Sequence, residues 1–336
     1  MTLPAVPELL RAVETIARQA GVVVMEVYAS AFAVNGKADT SPVTEADLRA
    51  EALIVPALKA LLPGVPVVAE EAVSRGEVPA VARRFWLVDP LDGTCEFVAR
   101  NGEFTVNIAL IEDGVPVLGV VYIPVQDRLF SGVSAGVQAA AQGQGAWVAE
   151  EGRRRAIGCR TAPPEGITLA CSRSHGDESA MQAWLGPRRV AARVGVGSSL
   201  KFGLIAAGEA DLYPRLGRTM EWDTAAGHAV LLAAGGDVLC LAGGALRYGK
   251  RGYENPHFVA HGLCGATPYN SPGRRIIGPP RMPLNPLEGT SACRPTAAPQ
   301  PRPQRVMLPP RCGHSRSTPT AASTTPAPAA TSRWPM

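Results

Sequence analysis

Trp86-Leu87-Val88-Asp89-Pro90-Leu91-Asp92-Gly93-Thr94 is the stretch that decides how the 336-residue chain reads. An apolar strand, Phe85–Val88, runs into Asp89. Pro90 and Gly93 then force a turn that returns Asp92 beside it. Two carboxylates this close repel each other unless a cation lies between them. Hard oxygen donors suit Mg²⁺, which keeps several waters and takes its remaining ligands from phosphate. The carbonyl of Leu91 is a third oxygen on the same turn. The N–H groups of Gly93 and Thr94, at a helix start, offer a seat for a phosphate oxygen. Carboxylates for a metal and amides for a phosphate in one turn imply metal-assisted phosphate chemistry. Taken alone, the stretch also reads as a surface turn. Further acids at element ends, Glu70, Glu71 and Asp223, favour a site.

Outward from this turn, Leu9, Val13, Ala17, Ala20, Val24 and Val27 recur at helical spacing. Thr44–Leu62 is a second helical stretch, which Pro56 should kink or split because it lacks an N–H. Pro66–Ala69 is a short strand running into Glu70-Glu71. If Pro66–Glu71 is extended, the two glutamates point to opposite faces, so only one meets a metal. Phe104–Ile111 and Val115–Ile123 flank Glu112-Asp113-Gly114 as a hairpin, with Leu129–Gly132 as a third strand. Thr168–Cys171, Ala210–Pro214 and Val238–Leu241 read as strands. Ser199–Ala207 and Asp223–Ala234 read as helices, each stopped by glycine. Gly152–Pro164, polar and basic, reads as a separator of two halves. Irregular blocks of strands and helices imply a layered α/β or α+β enzyme.

Composition sets outer limits. Hydrophobic residues are 46 % of the chain, enough for a core, and the net charge of +4 is an average of unlike parts. Residues 262–336 carry nine Arg, no Lys, one acid (Glu288) and 16 of the 31 prolines, so the body is acidic. That tail reads as disordered. It is a basic arm for a membrane or nucleic acid, an inert extension, or a misread frame; the last two are preferred, and no nucleic-acid partner is expected. No apolar run is long enough to span a membrane. The N-terminus lacks the basic start of a signal peptide. Seven scattered cysteines without a CxxC pair favour a reducing cytoplasm over a disulfide framework or zinc site.

Asp89-Pro90-Leu91-Asp92-Gly93-Thr94 and Trp222-Asp223-Thr224-Ala225-Ala226-Gly227, in this order, resemble the two signatures of the lithium-sensitive, Mg²⁺-dependent phosphatase superfamily that includes the inositol monophosphatases. Longer runs are similar to its CysQ-type 3′(2′),5′-bisphosphate nucleotidase branch. They are Lys37-Ala38-Asp39 with Ser41-Pro42-Val43-Thr44, the segment from Asn101 to Ile111, Ser172-Arg173-Ser174-His175, Gly197-Ser198-Ser199-Leu200-Lys201-Phe202, and Leu212-Tyr213-Pro214-Arg215. The resemblance covers residues 8–260. It implies a sandwich of alternating helix and sheet layers in two packed halves. Residues 1–155 would carry the metal motifs and 156–261 would complete the site, before the 262–336 tail.

For the site, the resemblance implies two or three Mg²⁺ ions. Glu70, Asp89 and the Leu91 carbonyl would hold one, and Asp89, Asp92 and Asp223 a second. It assigns water activation to Thr94 with Asp47, although Thr44-x-x-Asp47 is also a helix capping box. Both roles then require the Asp47 side chain to leave the cap. Substrate contacts fall to Glu70, Leu91, Asp92, Gly93, Thr94, Ser172, His175, Gly197, Lys201 and Asp223, with Arg215 a weaker candidate. Ser198 and Ser199 serve a phosphate or merely cap a helix. Trp222 reads as core.

The implied activity is removal of the 3′-phosphate of adenosine 3′,5′-bisphosphate, and of its sulfated analogue, in sulfur assimilation. Inhibition by Li⁺ and a cytoplasmic place, with peripheral contact at the inner membrane allowed, go with it. An inositol or sugar monophosphate is the alternative substrate. Cys95 stands where this branch usually has Lys, which removes a positive charge and motivates a third reading, a nucleotide-binding protein without catalysis. Glu221 adds an acid expected near the metals.

Overall fold

In the computed structural model, which describes residues 5–32, 34–36, 42–134, 144–173 and 178–263, the apolar stretches around Phe85–Ile123 form the centre of a large sheet. The elements run α1 (Val6–Tyr28), β1 (Val34–Gly36), β2 (Pro42–Thr44), α2 (Glu45–Leu61), β3 (Val67–Ala69), α3 (Glu70–Ser74), β4 (Arg84–Asp92) and α4 (Thr94–Val98). They continue as β5 (Thr105–Glu112), β6 (Val115–Ile123), β7 (Arg128–Val133), β8 (Gly145–Glu150), β9 (Arg153–Ile157), β10 (Ile167–Ser172) and α5 (Glu178–Leu185). The last are β11 (Val190–Val196), α6 (Leu200–Ala206), β12 (Leu212–Arg215), α7 (Trp222–Ala233), β13 (Asp237–Cys240) and β14 (Phe258–His261).

Strands β3 to β9 form a sheet in chain order, antiparallel except for the β3–β4 pair. Asp113 and Gly114 have φ of 50° and 72°, the left-handed pair that a two-residue hairpin turn between β5 and β6 needs. The second sheet runs β11-β10-β12-β14-β13 and mixes parallel with antiparallel pairs.

Side chains alternate between the faces of the large sheet, and both faces are buried. Trp86, Val88, Ile108, Leu110 and Val120 pack with the apolar stripes of α1 and α2, including Val13, Ala17, Val24, Ile54 and Leu58. Phe85, Leu87, Ala109, Ile111 and Val121 pack instead with α6, α7 and the second sheet. Leu169, Leu212 and Val259, on the second sheet, meet Met181 and Leu185 of α5. The layers are therefore helix, sheet, helix, sheet, helix, as the family resemblance implies. Among the described residues no helix is long and apolar enough to cross a membrane.

Four expectations change. Helix α2 is not split by Pro56, because Ile54 and Leu58 on either side are fully buried and hold it. Pro90 does not end β4. The strand continues to Asp92 through a bulge in which Pro90 and Leu91 oppose Val106 alone, a place where proline is tolerated. Glu70 and Glu71 do not extend β3 but open α3, so the opposite-faces argument does not apply to them. Gly152–Pro164 is not simply a separator, since Arg153–Ile157 pairs with β8 as an edge strand. The tail from residue 264 lies outside the described residues, as do Lys37, Asp39, Ser41 and His175.

Helix α7 lies flush on the large sheet because glycines face it. A Cβ on Gly119 would stand 2.3 Å from the Ala226 carbonyl oxygen, and one on Gly132 would stand 2.7 Å from the Val230 Cα. Gly119→Ala should therefore destabilise the fold by about 1–3 kcal/mol, an overpacking cost. Gly195→Ala, with no neighbour within 4 Å of the added carbon, should leave the urea midpoint unchanged. Equal midpoints for the two variants would show that α7 does not depend on this contact.

Candidate active site

The bulge in β4 has a local effect: it ends the strand on Asp92 and passes the chain through Gly93, at φ 91°, into α4. Asp92 thus faces a cavity of ≈ 260 Å³. Glu70 reaches the same cavity from the start of α3, and Asp223 from the first turn of α7. Gly93, Thr94, Cys95, Glu96, Ser172, Ser198, Lys201, Arg215 and Thr219 also border it.

Asp92 is held by three side chains. Its Oδ2 accepts from Ser199 Oγ at 2.8 Å, Asn107 Nδ2 at 3.3 Å and Thr105 Oγ1 at 3.4 Å. Asp223 Oδ2 accepts from the Met220 N–H at 2.8 Å. Ser199 Oγ lies 2.5 Å from the Asp223 carbonyl oxygen as well, so one hydroxyl bridges the two segments. Burial raises the Asp92 carboxyl above the ordinary range, opposed by the charge of Lys201 and by these hydrogen bonds. Burial, followed by repulsion from Asp92 and Glu70, raises Asp223 well above that range. Lys201, only 3 % exposed, is pushed down to about 8, chiefly by burial and against the pull of Asp92. Its ammonium donates to the Val196 carbonyl at 3.1 Å and lies over the Tyr213 ring.

Asp47 divides its two oxygens. Oδ2 accepts from the Thr44 N–H at 2.8 Å and the Thr44 hydroxyl at 2.7 Å, closing the capping box at the start of α2. Oδ1 lies 3.4 Å from Thr94 Oγ1, which is also 3.3 Å from the Leu91 carbonyl oxygen. The side chain does not have to leave the cap to reach Thr94, contrary to the expectation from sequence. A carboxylate has two acceptor atoms, and the bulge brings Thr94 to the second.

Of the expected site residues, Glu70, Asp92, Gly93, Thr94, Ser172, Lys201 and Asp223 border the one cavity. Asp47, Asp89, Leu91 and Gly197 are not among its lining residues. Asp89 Oδ1 accepts from the Leu91 N–H at 3.0 Å, and the Gly197 N–H donates to Glu103 Oε2 at 2.8 Å. Glu71 is buried against α2, its N–H donating to Glu51 Oε2 at 2.8 Å. Trp222 is core, as read. Glu221 does not face the cavity; its carboxylate is spent on the loop at Gly249-Lys250.

Sequence reasoning missed Glu96, Thr219, Asn107 and Glu103. Asn107 had a signal, an amide in the middle of the otherwise apolar run from Val106 to Ile111. Glu103 had none. It joins Arg173 at 2.6 Å and holds Gly197, and these bonds bring its carboxyl below the ordinary range despite burial.

Hard oxygen donors around one cavity, two of them titrating high through burial and repulsion, are a set that a bound divalent cation would relieve. Among the described residues, no three Asp, Glu, His or Cys side chains converge as a ready-made metal cage. The donors fit the ion by chemistry and charge. Raised carboxyls keep protons in the folded state that the unfolded chain has released. In chelator, their stability penalty should therefore grow as pH rises through and above the ordinary carboxylate range. Asp223→Asn keeps an oxygen for Met220 and should flatten that loss, with a urea midpoint above that of the unsubstituted protein near neutral pH. Parallel pH curves for the two proteins would contradict the repulsion.

Comparison with known proteins adds an independent observation. Residues 6–270 match the Inositol monophosphatase family. The chain is 48 % identical over 246 residues to the 3′(2′),5′-bisphosphate nucleotidase CysQ of Escherichia coli K12, covering 72 % of this chain and 95 % of that protein. It is 35 % identical over 257 residues to CysQ of Aggregatibacter actinomycetemcomitans, covering 75 % and 91 %. Among solved structures, CysQ from Bacteroides thetaiotaomicron is similar at a TM-score of 0.60 and 35 % identity, over 75 % of this chain and 96 % of that one. The inositol monophosphatase from Anabaena is similar at 0.59 and 26 %, over 76 % and 90 %.

Proposed function

The chain belongs to the inositol monophosphatase family, and from that premise we propose that it is a Mg²⁺-dependent 3′(2′),5′-bisphosphate nucleotidase, releasing phosphate from adenosine 3′,5′-bisphosphate to leave AMP. The observation that carries this reading is the charge make-up of the cavity. Four carboxylates, Glu70, Asp92, Glu96 and Asp223, share its wall with two cations, Lys201 and Arg215. One phosphate can be met through metal held by the acids. A second phosphate needs cations of the protein's own, and Lys201 and Arg215 supply them.

Glu70, Asp89, the Leu91 carbonyl, Asp92 and Asp223 are the groups that would hold the ions, two or three in number. Bound there, Mg²⁺ supplies Lewis-acid stabilisation of charge on the phosphate and acidifies water. The chain's own residues do the rest. Thr94 Oγ1 donates toward Asp47 Oδ1, so as the hydroxyl takes a proton from an attacking water it passes its own to the Asp47 carboxylate. The amides of Gly93 and Thr94 bind phosphate oxygens. Ser172 binds the nucleotide or its second phosphate, and so does Ser198, the hydroxyl of Ser198 being buried without a partner among the described residues. His175 is assigned the same task on the strength of the resemblance. Cys95, exposed beside the cavity, offers no charge at the position where the branch it resembles usually has Lys. A role in sulfur assimilation and peripheral contact with the inner membrane stay attached to this reading as proposals.

Steady-state phosphate release from adenosine 3′,5′-bisphosphate and from inositol monophosphate, with and without Mg²⁺, tests it. The nucleotide should be preferred, the rate should need Mg²⁺, and Li⁺ should inhibit. Lys201→Met should raise KM for the bisphosphate by roughly tenfold, since a hydrogen bond to a charged group is worth about 1.5–3 kcal/mol, and should spare KM for a monophosphate. Preference for inositol monophosphate would move the chain to the monophosphatases. Nucleotide binding without turnover would favour a binding protein.

A further inference from the structure

We infer that Glu221 and Asn255 are positioning residues for Asp223: the loop Tyr248–Asn255 grips the Thr219–Trp222 turn and so sets where the Asp223 carboxylate stands. The inference rests on the reading that Asp223 works in the site.

Neither residue borders the cavity. The two segments run antiparallel, with Glu221 N–H donating to the Tyr253 carbonyl at 2.7 Å and Asn255 N–H to the Thr219 carbonyl at 2.9 Å. The Glu221 side chain is fully buried, at 0 % exposure. Its Oε2 accepts from the Gly249 N–H at 2.7 Å, and its Oε1 from the Lys250 N–H at 2.9 Å and the Lys250 ammonium at 2.7 Å. Two successive backbone N–H groups beside Gly249, at φ 88°, form a concavity built for an anion, and here the anion is a side chain of the site's own turn.

Asn255 completes the grip. Its Nδ2 donates to the Met220 carbonyl at 2.7 Å and lies 3.0 Å from Thr224 Oγ1 and 3.4 Å from Thr219 Oγ1. Its Oδ1 accepts from the Lys250 ammonium at 3.2 Å, which ties the two positioning residues together. Met220 is the transmitting residue. Asn255 holds its carbonyl while its N–H holds Asp223 Oδ2 at 2.8 Å. The far side of the loop is fixed too, because the Tyr248 N–H donates to the Gly114 carbonyl in the β5–β6 turn at 3.1 Å. The loop thus spans from the large sheet, which carries Asp92, to the turn that carries Asp223.

The test uses the full chain with Glu221→Gln and Asn255→Asp. The first turns one oxygen of a fully used carboxylate into an N–H facing N–H donors. The second turns a donor into an acceptor facing the Met220 carbonyl. Outer groups that orient metal ligands typically change affinity 10–100-fold, so binding of Mn²⁺ to the substrate-free protein, followed by its electron paramagnetic resonance signal, should weaken by at least about tenfold. The value of kcat should fall with it, while KM for the bisphosphate stays within about threefold. Folded variants with unchanged Mn²⁺ affinity, or with only KM altered, would overturn the inference. Should both variants fail to fold, Lys250→Met decides. Its side chain reaches solvent, it breaks the tie between the two residues, and unchanged Mn²⁺ affinity there overturns the proposal equally. An unsubstituted protein that binds no Mn²⁺ or hydrolyses no bisphosphate would sink the functional reading instead.

Discussion

Glu70, Asp92 and Asp223 stand with Glu96 around one partly buried cavity, and like charges in such surroundings push apart. The rest of the molecule can be understood as what is needed to keep them there. No single local structure brings them together. Asp92 comes from a bulge in the large sheet, Asp223 from the first turn of a buried helix, and Glu70 from a short helix that α2 holds through Glu51. Each element end is tied by hydrogen bonds to another part of the chain. A flexible arrangement would relax the repulsion by letting the acids drift apart.

Close packing supplies the stiffness. Helix α7 meets the sheet backbone at Gly119 and Gly132, and its own Gly227 admits the Phe202 ring, so α6, α7 and the sheet cannot slide without collision. Ser199, just before α6, bonds both the Asp92 carboxylate and the Asp223 backbone. The acids are thereby fixed in distance through a core that is apolar almost throughout, while the polar groups needed for chemistry are confined to its edge. Lys201 belongs to the same economy of space. Buried with its ammonium near Asp92, it offsets part of the acid charge.

Much of this was legible in the sequence where physics is local. The apolar spacing of α1, the Asp113-Gly114 turn between β-rich runs, and the glycine stops after α6 and α7 all appear where the residues call for them. The acids at element ends were legible for the same reason, since a carboxylate following an apolar strand has few structural excuses. What could not be read depends on neighbours distant in sequence. The β9 strand is basic and exposed, and pairs only because β8 offers an edge. Pro56 passes through a helix because tertiary burial outweighs a missing hydrogen bond. Glu221 looked like one more acid for the metals, because no pattern around Trp222 announces that Gly249 and Lys250 will receive it. Glu103 and Asn107 were invisible or faint for a like reason: Arg173, Gly197 and Ser199, which they bond, lie 70, 94 and 92 residues onward.

The double duty of Asp47 has a consequence for timing. One oxygen closes the first turn of α2 and the other faces the Thr94 hydroxyl. That turn is a helix terminus, the kind of segment that opens far more often than the whole fold does. When it frays, the carboxylate leaves the hydroxyl in the same motion. The fraction of time in which the hydroxyl is properly aimed is then the closed population of a single helical turn. If Asp47 and Thr94 work as proposed, temperature would dim the site before it melts the protein, and the cap would be part of the enzyme's catalytic clock.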